Sequence, residues 1–337
     1  MSIKHYDCIV IGAGHAGVEA ALASSRMGVS TLLLNLSFDT VGEMSCNPAI
    51  GGVGKGQLVK EIDALGGEMG KAADATGIQF RQLNASKGAA VRSSRCQSDR
   101  KRYRLYMQEV VSHQDHLSFL SGKASAILVE GSRVVGIRTE NNETIDSKTV
   151  VIAAGTFLNG KIHVGTKTFA AGRIDEQNST QLADCLRDLG FHLMSFKTGT
   201  PARLNGKTID FSHLARQDSD DRPVPFSFLT KEIPKNQKLL PCYITTTNET
   251  THAIIRANLH LSPMYSGKIK STGVRYCPSI EDKLVKFASK KQHHVFLEPE
   301  GIDTDLYYPN GISTGLPEDV QEAMIHSIAG LEKVHVV

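Results

Sequence analysis

The stretch YDCIVIGAGHAGVEAALASSRMG, residues 6–28, decides the fold class. Tyr6–Ile11 is a short apolar run that reads as a strand. Gly12-Ala13-Gly14-His15-Ala16-Gly17 follows, then a helical pattern, then a second apolar run at Thr31–Leu34. Strand, glycine turn, helix, strand is the context in which G-x-G-x-x-G becomes a specific signal. Gly12 permits the tight turn, Gly14 lets the backbone approach a pyrophosphate, and Gly17 lets helix and strand pack closely. The helix N-terminus offers unpaired N–H groups and partial positive charge, which suit a phosphate pair. The acidic residue usual at the end of the second strand is Asn35 here, which can still bond a ribose hydroxyl, though less strongly than a carboxylate.

A second glycine-rich stretch, SCNPAIGGVGKGQLVKE at 45–61, is not a P-loop. With Gly54-Lys55 in the GK place, that motif requires a glycine at 49 and a hydroxyl residue at 56. The chain has Ala49 and Gly56. The remaining readings are a reactive thiol on a mobile loop and a flexible linker.

At 337 residues, 40% of them hydrophobic, the chain is long enough for two domains with a sizeable core. A net charge of +3 does not by itself demand a polyanionic partner. No apolar run approaches the roughly 18–20 residues that span a bilayer. The start, MSIKHYDCIVIGAG, enters a strand without a signal-peptide core, so a cytoplasmic protein without membrane contact is expected. The six cysteines, Cys8, Cys46, Cys96, Cys185, Cys242 and Cys277, contain no C-x-x-C pair or metal-ligand spacing, which argues against zinc.

Farther along, the sequence predicts a helix near Gln57–Ala64, a loop-rich region to about Ser94, and a helix over Cys96–Val111. Leu117–Leu120, Ser125–Val129 and Val134–Thr139 read as strands, the last two forming a hairpin around Glu130-Gly131-Ser132. Lys148–Ala153 reads as a strand returning to the main sheet. From about Thr200 to Gly273, prolines and charged turns separate short runs, with a strand over 239–248 and a helix over 251–259. This region reads as a smaller inserted domain. A terminal helix is expected in LPEDVQEAMIHSIAG.

Charge is locally clustered. Arg81, Lys87, Arg92, Arg95, Arg100, Lys101, Arg102 and Arg104 face only Asp99 within their span. Lys268, Lys270, Arg275, Lys283, Lys286, Lys290 and Lys291 form a second group. Such density marks either a phosphate-backbone surface or a solvated helix face together with residues that neutralise a cofactor's own phosphates. Cys277 follows Arg275 and precedes Pro278 and a helix-like segment with Lys283. Cys46 precedes Pro48, the glycine loop and Lys55. Both settings are electropositive and favour a reactive thiolate. The other cysteines read as small buried residues, Cys8 above all.

The blocks SCNPAIGGVGKGQLVKEIDALGG, GIQFRQLNASKGAAVRSSRCQSDR, GTFLNGKIHVG, KTGTPARL, RYCPSIEDK and LEPEG, with YPNGIST, run through the whole chain. Together they resemble the MnmG (GidA) family, the FAD-binding flavoprotein subunits that help build the 5-carboxymethylaminomethyl group of the tRNA wobble uridine. The resemblance implies an α/β fold with a Rossmann-like FAD-binding domain, of the two-dinucleotide-binding-fold type, at 1–199 and 274–337. The inserted α+β domain at 200–273 is then associated with NADH or substrate. FAD is implied at Gly12, Ala13, Gly14, His15, Ala16 and Gly17, with a strand backbone near Ala124 and a polar contact near Ser179. NADH is implied as reductant, near Gly273, Arg275, Tyr276 and Phe287.

The resemblance also implies tRNA as substrate, methylene-tetrahydrofolate as carbon donor, glycine or ammonium, an MnmE-type GTPase partner and a homodimer. Uridine C5 becomes nucleophilic once a thiolate adds to C6, and Cys46 and Cys277 occupy the family's cysteine positions. Which of them attacks is left open. Asp282 and Lys283 are the candidates for proton transfer and phosphate contact, and the 45–61 stretch is expected to be an active-site loop. Family members continue beyond residue 337 with a segment closing the FAD domain and a helical domain. Weak FAD retention and no activity alone are therefore expected of these residues. The alternatives are a small-molecule NADH:flavin oxidoreductase and an inactive flavin-binding fragment.

Overall fold

The computed structural model describes residues 5–269, 272–273 and 277–337. The first part of the chain runs β1 (His5–Ile11), α1 (His15–Arg26), β2 (Thr31–Asn35), β3 (Ala49–Gly51), α2 (Gly56–Ala64) and α3 (Met69–Thr76). It continues with β4 (Gly77–Leu83), β5 (Ser93–Ser98), α4 (Arg100–Ser112), β6 (Leu117–Ser121), β7 (Ala124–Glu130), β8 (Arg133–Thr139) and β9 (Thr144–Ile152). A hairpin, β10 (Lys161–Val164) with β11 (Lys167–Ala170), precedes α5 (Thr180–Asp188), β12 (Phe196–Lys197), β13 (Leu204–Asn205) and β14 (Ala215–Gln217). Last come β15 (Cys242–Thr246), α6 (Glu249–Ala257), β16 (Thr272–Gly273), α7 (Ile280–Lys286), β17 (His294–Pro299), β18 (Leu306–Asn310) and α8 (Glu318–His326).

The main sheet has the order β6-β2-β1-β9-β8-β7. Its first four strands are parallel, and β9, β8 and β7 form an antiparallel meander. Strands β1 and β2 are almost continuously apolar because both faces are covered. Side chains alternate across the sheet. Cys8, Val10 and Leu33 pack with Phe80, Cys96, Tyr103 and Phe226 on one face. Ile9, Ile11, Leu32 and Leu34 pack with Ile137, Leu182 and Leu186 on the other. The register sets Ile11 beside both Leu34 and Ile152. Gly12, Asn35 and Ala153 therefore share the carboxyl edge of the sheet, where open α/β folds bind ligands.

The region expected to be loop-rich contains α3, β4 and β5, and β3-β5-β4 form a second, antiparallel sheet. The helix expected from Cys96 begins only at Arg100. Cys96 lies in β5 between Ile50 and Phe80, and Asp99 caps the helix by accepting from the Arg102 amide at 2.9 Å. These strands escape detection because their buried positions are polar as often as apolar: Gln79, Ser93, Ser94, Gln97 and Ser98 are all buried.

The third sheet, β13-β18-β17-β15-β14, is antiparallel. Three of its strands precede residue 273 and two follow it. Its apolar cluster runs from Leu204 through Ile255, Leu284 and Leu297 to Val334. The boundary expected at 273 thus crosses one hydrogen-bonded sheet and one core. Among the described residues, no helix is long and apolar enough to cross a membrane.

Ion pairs tie this sheet to the rest. Glu298 and Glu300, at the end of β17, are only 1% and 3% exposed. Glu298 accepts from Arg95 of β5 and, at 2.9 Å, from Asn310 Nδ2. Glu300 accepts from Arg100 of α4 at 2.8 Å and from Arg203 Nε at 2.7 Å. Arg100 and Arg104 both reach Glu43 at 2.9 Å, while Arg81 pairs with Asp220 at 3.0 Å. Much of the first basic cluster is therefore internal wiring, neither an RNA surface nor a solvated face. Replacing Glu300 with Gln leaves two guanidinium groups short of a buried carboxylate. The expected loss is roughly 3–5 kcal/mol in urea unfolding. Asp303→Asn, at an exposed pair with Arg102, is expected to change stability by less than about 1 kcal/mol. Equal effects of the two would show that the buried network contributes nothing special.

A second buried polar contact involves histidines. Thr247 Oγ1 lies 2.8 Å from His252 Nε2 and accepts from the His293 amide at 2.9 Å. Burial pushes both imidazoles below their ordinary value of 6.5, aided by Arg256 near His252 and Lys283 near His293. The unfolded chain then binds more protons than the folded one as pH falls through 6.5, so acidification opposes folding. The urea midpoint is expected to fall between about pH 7.5 and pH 6. A His252→Gln, His293→Gln double variant should flatten that slope, and an unchanged slope would exclude these two groups as its source.

Candidate functional site

The glycine turn sits at the carboxyl edge of β1. Gly12 has φ +98°, and a Cβ there would lie 2.5 Å from the Ala153 carbonyl oxygen. A Cβ on Gly17 would overlap the Gly12 carbonyl oxygen. Both positions are glycine because protein atoms leave no room. Gly14 differs, for its φ is −72° and a Cβ there would meet no atom of the described residues within 4 Å. It is also the N-cap of α1, whose first turn has no acidic residue and no side-chain cap. Uncapped N–H groups opening on free space suit an anion.

Asn35 is occupied otherwise than expected. Its Oδ1 accepts from the Ala13 amide at 3.2 Å, and its Nδ2 donates to Ser37 O at 2.8 Å and Thr40 Oγ1 at 2.9 Å. The carboxamide braces the glycine turn. His15 Nδ1 lies 3.4 Å from the Tyr103 hydroxyl, with the rings edge to face at 5.6 Å. Burial pushes His15 below its ordinary value against the pull of Glu43, so the ring stays neutral at the positive end of α1. Ala13 is buried and Ala16 exposed.

Ala124, buried, opens β7 opposite Thr139, two residues after Gly122, whose amide donates to the Asn35 carbonyl at 2.9 Å. Ser179 donates its amide to Phe157 O at 2.8 Å, and its carbonyl accepts from Asn159 N at 3.2 Å, within the loop that leaves β9. The glycine turn, the Ala124 strand and the Ser179 loop are thereby brought to one edge of the main sheet.

The 45–61 stretch divides in two. Gly51, at φ +82°, would place a Cβ 2.6 Å from Phe226 Cζ, and Gly56 would place one 2.5 Å from Ser94 O. These two glycines let β3 and the start of α2 pack on β5. Cys46, ahead of them, is exposed. Its sulfur is 3.4 Å from the Tyr308 hydroxyl, and its carbonyl accepts from Arg203 Nη2 at 2.6 Å. The Arg203 guanidinium lies over the Tyr308 ring at 4.7 Å. Burial pushes the Tyr308 phenol well above its ordinary value, and the neighbouring Cys46 adds to this.

Cys277, half-buried, donates to Gly199 O at 3.5 Å. The next residue, Thr200, accepts from Arg203 Nη1 at 2.8 Å. The short segment Gly199-Thr200 therefore joins the surroundings of both cysteines. Lys283 donates to Gly311 O at 2.7 Å. Burial lowers its ammonium below the ordinary lysine value, with Cys277 pulling the other way. Asp282 is buried in the capping box that starts α7. Its Oδ2 accepts from Ser279 N at 3.3 Å and Oγ at 3.2 Å, and its Oδ1 from Tyr265 at 3.2 Å. One carboxylate oxygen thus serves the cap and the other holds Tyr265.

Gly273 pairs with Lys197 in a short parallel ladder. Arg275, Tyr276 and Lys270 lie outside the described residues. Phe287 is exposed beside a cleft of about 490 Å³ that it lines with Lys290, Gln292, His293 and His294. Of the second basic cluster, Lys286, Lys290 and Lys291 are exposed, while Lys268 donates to Thr166 O at 2.9 Å. Tyr308, Arg203 and Glu300 do not stand out in the sequence as site residues. The available signal was two glutamates directly following an apolar strand, which need buried cationic partners.

Comparison with known proteins agrees along the chain. The family described as Glucose inhibited division protein A matches residues 7–337. The tRNA uridine 5-carboxymethylaminomethyl modification enzyme MnmG of Geobacter sulfurreducens is 57% identical over 334 residues, which are 99% of this chain and 53% of that protein. The protein of the same name from Aquifex aeolicus is 53% identical over 337 residues, 98% of this chain and 55% of its own length. The chain thus spans about half the length of the curated relatives it matches. The structure of Aquifex aeolicus GidA in its form I crystal superposes with a TM-score of 0.94 at 53% identity, covering 99% of this chain and 56% of that one. With the glycine turn and both cysteine segments inside that match, the chain belongs to the GidA family.

Proposed function

We propose that these residues form the flavin-binding, cysteine-bearing part of an enzyme that modifies tRNA uridine at C5, the activity named for the relatives. The observation that carries this reading is Gly14, an uncapped helix N-terminus opening on free space at the carboxyl edge of a parallel sheet. FAD is the group proposed there, held by Gly12–Gly17 and by the segments at Ala124 and Ser179. It would supply two-electron redox chemistry. NADH is the proposed reductant, associated with Gly273–Phe287. Methylene-tetrahydrofolate, glycine or ammonium, an MnmE-type GTPase, a homodimer and a cytoplasmic setting complete the proposal.

The chain's own residues would act as follows. A cysteine thiolate adds to uridine C6, which raises electron density at C5 for attack on an electrophilic carbon. Cys46, exposed and anchored at both its carbonyl and its sulfur, is suited to that addition. Cys277 and Lys283 would handle protons nearby, and Asp282 would keep the start of α7, and so Lys283, in place. Exposed Lys87, Arg92 and Lys101, with Lys286, Lys290 and Lys291, remain available to RNA phosphates.

Two substitutions test the reading. Gly14→Ala is expected to leave the unfolding midpoint unchanged yet abolish the flavin absorption gained on equilibration with FAD. Gly17→Ala, which overpacks the turn, is expected to lose about 1–3 kcal/mol of stability. Retention of flavin by a folded Gly14→Ala protein would overturn the assignment of the turn. In the full-length enzyme, Cys46→Ser is expected to reduce tRNA modification more than about 100-fold. Normal modification by that variant would remove Cys46 from the chemistry.

A further inference from the structure

Among the described residues, the two cysteines meet different hydrogen-bonding partners. The Cys46 sulfur lies 3.4 Å from the hydroxyl of Tyr308. The Cys277 sulfur faces the carbonyl oxygen of Gly199 at 3.5 Å, to which only an S–H can donate, and the cation nearby is Lys283, whose own protonation burial disfavours. A carbonyl contact therefore favours the protonated thiol, whereas a hydroxyl can serve either form.

Tyr308 is placed to serve the thiolate. Its residue is 4% exposed, and it stands in β18 opposite Glu298, so the phenol has little freedom to turn away. Burial keeps it protonated through the neutral range, and against a thiolate it must be the donor. A hydrogen bond to a charged acceptor is roughly twice as strong as a neutral one, so the contact gains strength when Cys46 ionises. Arg203 fixes the geometry. It donates to Cys46 O at 2.6 Å, to Thr200 Oγ1 at 2.8 Å and to Pro201 O at 3.2 Å, pairs with Glu300 at 2.7 Å, and covers the Tyr308 ring. One guanidinium thus holds the backbone of the cysteine and the face of the ring that touches its sulfur.

We infer that Tyr308, braced by Arg203, donates to the Cys46 sulfur and makes Cys46 the nucleophile of the pair, with Cys277 held as the protonated partner. This rests on the reading of Cys46 given above and names the groups that would make its sulfur the nucleophile. Tyr308 acts on the reacting sulfur, and Arg203 is a positioning residue.

The test is alkylation by iodoacetamide across pH, with Cys46 and Cys277 followed separately by peptide mass spectrometry. The midpoint of each profile reports ionisation, whereas the absolute rate also depends on exposure. Cys46 is expected to react with the lower midpoint. Tyr308→Phe removes one hydroxyl and keeps the ring under Arg203. It is expected to slow Cys46 alkylation about tenfold at neutral pH and to move its profile upward, leaving the Cys277 profile in place as the control for folding. An unmoved Cys46 profile in that variant, or a lower midpoint at Cys277 than at Cys46, would overturn the inference. Failure of the functional reading looks different: full-length enzyme with Cys46→Ser would still modify tRNA while the Tyr308→Phe shift at Cys46 remained.

Discussion

The buried carboxylates of Glu298 and Glu300 are the constraint on which the rest depends. Neither can be taken from water without a partner, since an unpaired buried charge is among the most destabilising features a fold can contain. Their partners come from three separate places: Arg95 on β5, Arg100 at the start of α4, and Arg203 just before β13. The end of β17 can therefore be buried only when the small antiparallel sheet, α4 and the start of the third sheet are all in position. Arg100 extends the chain of charges to Glu43, three residues before Cys46. Arg203 completes it at the Cys46 carbonyl. The electrostatics that close the core also set the exposed thiol.

Glycines carry the second constraint, in two distinct ways. At Gly12, Gly17, Gly51 and Gly56 a side chain would strike backbone or ring atoms of the protein itself. Those glycines let elements approach one another and would be needed with no ligand at all. At Gly14 nothing among the described residues stands in the way. Only that position separates a turn built for packing from one built for a guest, and it coincides with uncapped N–H groups of α1.

Much of the first sheet was legible in the sequence. The buried runs Cys8–Ile11 of β1 and Leu32–Leu34 of β2 are apolar and α1 starts at a glycine turn, so local pattern and final environment agree. β4 and β5 were not legible, because Gln79, Ser94, Gln97 and Ser98 are buried without being apolar and hide the alternation. The helix expected from Cys96 slipped by four residues for the same reason, with Asp99 marking the true start. The hairpin at 161–170 also passed unread. Cys46 and Cys277 stood out by the prolines and cations near them in the chain. Asp282 stood out as well, but in the structure it serves its own helix cap.

The parallel βαβ unit, the family resemblance and the two cysteines worth attention could all be read along the chain. All three are carried by local order: apolar runs, glycine spacing and contiguous blocks. Only the tertiary structure decided what the arginines between 81 and 104 are for, because their carboxylates lie far along the chain and pairing depends on folding, not on spacing. It alone set Tyr308 against Cys46, a contact spanning 262 positions of sequence. It alone separated Gly14 from its neighbouring glycines, since free space above a backbone atom exists only once everything around it is in place.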